Sequence, residues 1–320
     1  MHALELTQLA IAAVETDADL EAMIAVRRLA TPEAKPTVEN LRFNLDRNPD
    51  LTYLVARLGD EPVACGFLQP KEDVATADLV VVPAERRRGI GTAILAELSQ
   101  RARALGTEAL QGEAKEVDEE SQGFLERRGF AKVGAEKALV LELGGLEPLE
   151  PEPPAGVRIV TRAEEPDRLE GMYAVSVQAD EDIPGSLGVM TFEQWRALEI
   201  DKPSRRPELC FIALAGDEVV GYAALHVFRD DLFHGLTATR RDWRRRGVAT
   251  ALKRAEIAAA ARGGFRRLVT ESEERNEPMR RLNEKLGFVP APELSTVVMR
   301  GALDGVAREE ADANHRGERT

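Results

Sequence analysis

The chain repeats itself. Arg86-Arg87-Arg88-Gly89-Ile90-Gly91-Thr92 returns 158 residues later as Arg244-Arg245-Arg246-Gly247-Val248-Ala249-Thr250. Leu125-Glu126-Arg127-Arg128-Gly129-Phe130 returns at the same offset as Asn283-Glu284-Lys285-Leu286-Gly287-Phe288. Gly59-Asp60-Glu61 returns as Gly216-Asp217-Glu218 at an offset of 157, so one residue of slippage lies between Glu61 and Arg86 of the first copy and their equivalents in the second. A period this long is a duplicated domain rather than a solenoid unit. A length of 320 residues suits two domains of ordinary size, and 43% apolar residues give each a core.

Both arginine-glycine stretches follow an apolar, β-branched run and open an Ala/Leu-rich helix. A strand, a glycine-bearing turn and a helix start together make an anion site. The first N–H groups of the helix lack internal partners, and the helix dipole adds positive charge there. The missing Cβ of glycine lets a phosphate approach the backbone. The expected ligand carries a phosphate or pyrophosphate. The competing reading is a tight turn with no ligand, and the repetition in register weighs against it.

The net charge of −13 argues against nucleic acid as the main partner, despite the arginine clusters. An acidic surface repels a phosphate backbone and attracts a cationic amine. Cys65 and Cys210 sit in apolar strand-like runs of different domains, so free buried thiols and a reducing cytoplasm are expected. No window has transmembrane length, no signal peptide is read at the N-terminus, and no metal site is expected.

Taken in order, Leu9–Val14 reads as a strand, with helices from Thr16 or Asp17 to Leu29 and from Thr37 to Asn48. Gly59-Asp60 turns a hairpin, and Ala77–Val82 feeds the first anion loop. A helix runs from Ile90 to Leu105, followed by a strand at Glu108–Glu113, a helix at Asp118–Arg128 and a strand at Phe130–Leu143. Residues 144–156 carry Pro148, Pro151, Pro153 and Pro154 among acids and read as a stiff linker. The second copy gives a strand at Val157–Thr161, helices near Pro166–Gln178 and Thr191–Ile200, a hairpin at Gly216-Asp217, and a strand ending at Thr239. A helix to Arg262, a strand at Arg267–Ser272, a helix at Asn276–Leu286 and a strand at Val289–Arg300 complete it. The domains are set at 1–146 and 156–302, with 303–320 as a mobile tail.

These residues resemble the GNAT (GCN5-related N-acetyltransferase) superfamily. Its acyl-CoA motif, [Q/R]-x-x-G-x-[G/A] after a strand, matches Arg86-x-x-Gly89-x-Gly91 and Arg244-x-x-Gly247-x-Ala249. Its later signature, an Asn opening a helix that ends in Gly-Phe, matches Asn276 through Gly287-Phe288. The resemblance covers both halves. It implies an α/β (α+β) fold of two tandem domains, each a mixed, mostly antiparallel sheet flanked by helices. It also implies an N-acetyltransferase using acetyl-CoA.

On that resemblance the loops Arg87, Arg88, Gly89, Ile90, Gly91, Thr92 and Arg245, Arg246, Gly247, Val248, Ala249, Thr250 would cradle the CoA pyrophosphate. The strand ends Leu79, Val80, Val81 and Thr237, Ala238, Thr239 would pair with the pantetheine arm, and Asn276 joins the CoA-binding set. A base is implied five residues before the helix-opening Asn, at Glu271, with Glu113 as its first-copy equivalent. A solvated strand-end glutamate is the competing reading, and His234 is a second candidate base. The general acid of the family is a Tyr at the position held here by Leu125 and Asn283. Leucine donates no proton and asparagine only a hydrogen bond. Position 276 is Asn but position 118 is Asp, so the second domain is expected to be the catalytic one. Met279 and Leu282 read as core residues; Trp195 and Trp243 read as either pocket or core.

The expected acceptor is a small amine. It would be steered by a loop, Asp180-Glu181-Asp182, with no cation nearby and with Ile183-Pro184-Gly185 fixing its exit. Two alternatives stay open: an acyl-CoA-binding sensor that does not turn over, and a protein N-acetyltransferase. Either a monomer or a homodimer is compatible with the sequence.

Overall fold

The computed structural model describes residues 8–32, 36–148, 150–183, 188–202, 204–228 and 231–303. The chain forms two compact units. One takes the chain to Val133 together with the segment from Val297; the other is Gly134–Thr296.

The first unit begins with β1 (Leu9–Ala13) and α1 (Asp17–Ala30). Thr16 opens α1 through a capping box with Asp19, and Leu20, Met23 and Ile24 form its buried stripe. Next come α2 (Val38–Arg47), β2 (Thr52–Leu58), β3 (Glu61–Lys71), β4 (Val74–Val81), α3 (Ile90–Ala104), β5 (Ala109–Lys115) and α4 (Glu119–Glu126). Strands β1 to β4 are antiparallel neighbours, and β4 runs parallel to β5. Helix α3 ends where Leu105 caps it and Gly106 takes φ +80°.

The second unit opens within β6 (Ala131–Glu142), whose part from Gly134 onward pairs antiparallel with a later strand of the same unit. It continues with β7 (Val157–Thr161), α5 (Leu169–Asp182), α6 (Phe192–Glu199), β8 (Arg205–Ala215), β9 (Glu218–Phe228) and β10 (Asp231–Thr239). Then follow α7 (Val248–Arg262), β11 (Arg267–Glu273), α8 (Glu277–Lys285) and β12 (Val289–Pro290). The sheet order is β6-β11-β10-β9-β8-β7, antiparallel throughout except for β10 beside β11. One face packs on α5 and α6 through Met172, Val175, Trp195 and Tyr222. The other packs on α7 through Val248, Leu252 and Ala255. The last strand, β13 (Thr296–Ala302), lies beside β5 in the first unit. Each unit is therefore the mixed, mostly antiparallel sheet flanked by helices that the sequence implies.

The strand expected at Val289–Arg300 is two strands. Pro290 and Pro292 have no N–H to continue a ladder, and the Ser295 N–H turns back to the Ala291 carbonyl at 3.2 Å. Leu303, taken as the start of a tail, is buried, and its N–H donates to the Glu108 carbonyl at 2.9 Å. The rest of that tail, 304–320, lies outside the described residues, as do Pro184 and Gly185.

Candidate active site

The two arginine-glycine loops have one geometry. A single 3-10 turn, Pro83–Glu85 or Arg241–Trp243, lies between strand end and loop. Arg87 and Gly89 take φ of 63° and 84°, and Arg245 and Gly247 take 60° and 92°. Two left-handed residues separated by one are costly for arginine, of order 1–3 kcal/mol, and such strain collects at ligand clamps. Left-handed residues ahead of a helix start are a backbone form suited to presenting N–H groups to a phosphate. No atom lies within 4 Å of a Cβ built on Gly89 or Gly247, so glycine is needed there for its φ, and the space above the loop is open.

The charges on the loops differ. In the first unit Arg87 Nε lies 2.7 Å from Glu120 Oε1, Arg88 pairs with Glu85, and Arg128 Nη2 donates to Thr92 Oγ1 at 2.6 Å. The corresponding residues of the second unit are Pro278, Trp243 and Leu286. Neither Arg245 nor Arg246 has an ion-pair partner among the described residues; Arg246 lies over the Trp243 ring at 5.0 Å, with Asp242 near enough to feel its charge. Beside Thr250, a cleft of about 430 Å³ is lined by Arg254, Pro278, Arg281, Leu282, Lys285 and Leu286. Three cations and an apolar floor suit a phosphorylated nucleotide. Arg254 also holds Glu152 at 2.8 Å and Arg281 holds Glu277 at 2.6 Å, both at the exposed rim. Leu282, expected in the core, is thus a cleft wall.

Next to each loop two parallel strands part. β10 and β11 pair only from Asp231/Arg267 to Phe233/Val269, and β4 and β5 only from Val74/Ala109 to Thr76/Gln111. Beyond those points Leu79, Val80, Val81 and Thr237, Ala238, Thr239 keep their hairpin partners on β3 and β9. The register of β10 against β9 shifts between His234 and Thr237, whereas β4 runs unbroken against β3. That bulge carries Gly235, whose Cβ would meet His226 Nε2 at 2.6 Å. It accounts for the single residue of slippage between the repeats. In the first unit β5 passes close to β4 just beyond the last pair, since a Cβ on Gly112 would stand 2.6 Å from the Ala77 carbonyl; the second copy has Thr270.

Glu271 and Glu113 are exposed on β11 and β5. Asn276 caps α8, its Oδ1 accepting from the Met279 N–H at 3.4 Å, as Asp118 caps α4 through Ser121 at 3.0 Å. Asn283 is fully buried, and neither amide atom has a hydrogen-bond partner among the described residues. Trp195 is fully buried in the core, donating to Tyr222 Oη at 3.3 Å.

The reading of Asp180-Glu181-Asp182 as an unneutralised loop is overturned. These residues are the last turn of α5. Arg241 Nη2 lies 2.8 Å from Glu181 and from Asp182, and Arg244 Nη2 lies 2.6 Å from Asp182. Hydrogen bonds from Arg241, then Arg244, hold the Asp182 carboxyl down to about 2. The acids clamp the base of the arginine-glycine loop, and the cations that neutralise them come from the loop itself, about 60 residues away in sequence.

Sequence reading missed the buried charges Lys253 and Glu256 on α7, which lie with the candidate base His234 and with the half-buried Thr237 of β10. Lysine and glutamate on a helix read as solvated, so the periodicity gave no warning.

The acetyltransferase (GNAT) family profile matches residues 20–130 and 173–288. The chain therefore belongs to the acetyltransferase (GNAT) family, with one copy of the domain in each repeat, and its class is acyl-CoA-dependent N-acetyltransferase. No curated protein matches it. Among solved structures it is similar to a tandem GNAT protein from the clavulanic acid biosynthesis pathway, at 22% identity and TM-score 0.74, covering 92% of this chain and 98% of that one. It is similar to a GCN5-related N-acetyltransferase from Sphaerobacter thermophilus, at 19% identity and TM-score 0.72, covering 92% and 96%. A putative acetyltransferase from Pyrococcus horikoshii gives 18% identity and TM-score 0.63, covering 92% and 89%. At these identities the likeness is one of fold. Among the described residues no helix is long and apolar enough to cross a membrane.

Proposed function

We propose that the second repeat transfers an acetyl group from acetyl-CoA to a small amine, while the first repeat has lost the donor site. The observation that carries this is the state of the loop arginines. Arg87 and Arg88 are answered by Glu120 and Glu85, whereas Arg245 and Arg246 have no ion pair among the described residues. A pyrophosphate on the second loop meets two guanidiniums and a set of inward N–H groups. On the first loop it must first displace two carboxylates.

The residues of this chain divide the work. Arg245, Arg246, Gly247, Val248, Ala249 and Thr250 hold the pyrophosphate, and Arg254, Arg281 and Lys285 hold the phosphorylated nucleotide. Thr237, Ala238 and Thr239 align the pantetheine arm, and Asn276 fixes the start of α8 beside the cleft. The bound donor supplies a thioester activated for acyl transfer. Glu271, exposed on β11, takes a proton from the incoming ammonium group, and Asn283 stands where the family has its acid. With Asp182 engaged by arginines, the support for a cationic acceptor is the net charge of −13 alone. The free buried thiols Cys65 and Cys210 favour a reducing cytoplasm.

Leucine and asparagine at the acid position favour a second reading, a protein that holds acyl-CoA without turning it over. Thiol release from acetyl-CoA with a panel of small amines separates the two. Turnover is expected, with Glu271→Gln lowering kcat by roughly 10²–10⁴ and Glu113→Gln leaving it unchanged. CoA binding with no thiol release for any amine would make the protein a sensor.

A further inference from the structure

The polar groups on β10 and α7 form one cluster. His234 Nε2 meets Thr237 Oγ1, and His234 Nδ1 lies 3.0 Å from Glu256 Oε2. The second contact is an ion-pair approach rather than an in-line hydrogen bond, since neither His234 Nδ1 nor either Glu256 oxygen has a hydrogen-bond partner among the described residues. The His234 and Glu256 side chains are 4% and 1% exposed, and Lys253 is 2% exposed. Thr237 is half-buried, on the stretch of β10 that has already left β11. The cluster thus starts in the core and ends where the strands part.

The first repeat is a control for this arrangement. With the offset of 157 before the bulge and 158 after it, the corresponding residues are Ala77, Leu79, Leu95 and Leu98. Leu95 and Leu98 are 3% and 0% exposed, so the same helix packs on the same sheet through apolar side chains alone. Replacing buried charges with well-packed apolar residues is often neutral or stabilising. Packing therefore gives no reason for the polar set, and the bulge that re-aims β10 occurs only in the copy that has it.

The groups facing His234 are Glu256 and Lys253 from α7, with His226 on β9 and Arg205 on β8 behind it. Burial holds the imidazole below its ordinary range, against the opposing pull of Glu256. Burial also pushes the Lys253 amine down to about 8. A carboxylate 3.0 Å from Nδ1 favours the neutral tautomer that carries its proton there. Nε2 then accepts from the Thr237 hydroxyl, leaving Oγ1 able to accept a proton in turn.

We propose that Thr237, His234 and Glu256 form a reversible proton relay that takes the proton shed by the attacking nitrogen and returns it to the departing sulfur. This rests on the second repeat being the site of acetyl transfer. As the nitrogen–acyl bond forms, Thr237 Oγ1 receives the nitrogen's proton while passing its own to His234 Nε2, and Glu256 stabilises the imidazolium. As the acyl carbon–sulfur bond breaks with its electron pair on sulfur, the reverse transfer protonates that sulfur and restores the relay. One proton moves from nitrogen to sulfur, and the chain ends unchanged. Thr237 is the catalytic residue; His234 and Glu256 act through it. The relay supplies the acid that Leu125 and Asn283 do not.

The test is made on the full chain labelled with ¹⁵N-histidine, in wild type, Thr237→Val and Thr237→Ser. At neutral pH the His234 Nε2 is expected to be unprotonated and shifted by an accepted hydrogen bond, a shift lost in T237V and kept in T237S. With acetyl-CoA and the best amine of the panel, T237V should lower kcat by roughly 10² with the acetyl-CoA KM unchanged, and T237S should recover most of it. A proton resident on Nε2, or wild-type kcat in T237V, overturns the relay. CoA binding by the wild type is titrated separately, so a failed donor-site reading registers there and not in the imidazole shift.

Discussion

Arg244 Nε donates to the Thr239 carbonyl at 3.0 Å, and Arg86 Nε makes the same bond to Val81 at 3.2 Å in the first repeat. The first arginine of each motif thus ties the loop back to its own strand end, while the next two are exposed in the second repeat and paired with carboxylates in the first. In the second repeat Arg244 also holds Asp182 at the end of α5, so one guanidinium joins strand, loop and helix.

That latch predicts a divided response. Arg244→Ala frees the loop and should weaken CoA binding by about tenfold, the order expected for a lost charged hydrogen bond. Arg86→Ala should leave CoA affinity unchanged. Calorimetric titration of both variants checks this; equal losses would mean that both loops bind.

Asp182 gives a pH signature. Its folded carboxyl lies at about 2 against an ordinary 3.8, so its contribution to stability is complete above 3.8 and is lost as pH falls toward 2. Asp182→Asn should lower the Tm at neutral pH, and the gap from wild type should close progressively below pH 4. A gap that persists unchanged at low pH would mean that the ion pairs with Arg241 and Arg244 contribute nothing.

Lys253→Leu with Glu256→Leu copies the first repeat's Leu95 and Leu98 into the second. Thermal unfolding should show a protein as stable as wild type or more so, by up to a few kcal/mol. The kcat should fall even so. Loss of stability with kcat intact would make the pair a packing feature.

The repeats, the two arginine-glycine turns and nearly all the elements were legible because they rest on local signals: periodicity, caps and turn glycines. Thr16 and Thr37 cap their helices as the sequence implies. What was illegible depends on partners distant in the chain. The slippage of one residue was countable, yet only strand register assigns it to the bulge at Gly235. Asp182 looked unpaired because Arg241 and Arg244 reach it from across the fold. Lys253 and Glu256 looked solvated because they are charged. Only their overlay on Leu95 and Leu98 marks them as buried, and that overlay was available from the repeat itself.

The central claim is that the two loops have diverged and that only the second holds the donor. Calorimetric titration of CoA into wild type, Gly89→Glu and Gly247→Glu tests it most directly. The substituted carboxylates occupy space that is open above each loop and repel phosphate, and they carry backbone strain at positive φ. Circular dichroism on each variant checks that the fold survives. The account predicts one CoA per chain, binding retained in Gly89→Glu and abolished in Gly247→Glu. Two sites per chain, or loss in Gly89→Glu with retention in Gly247→Glu, would contradict it.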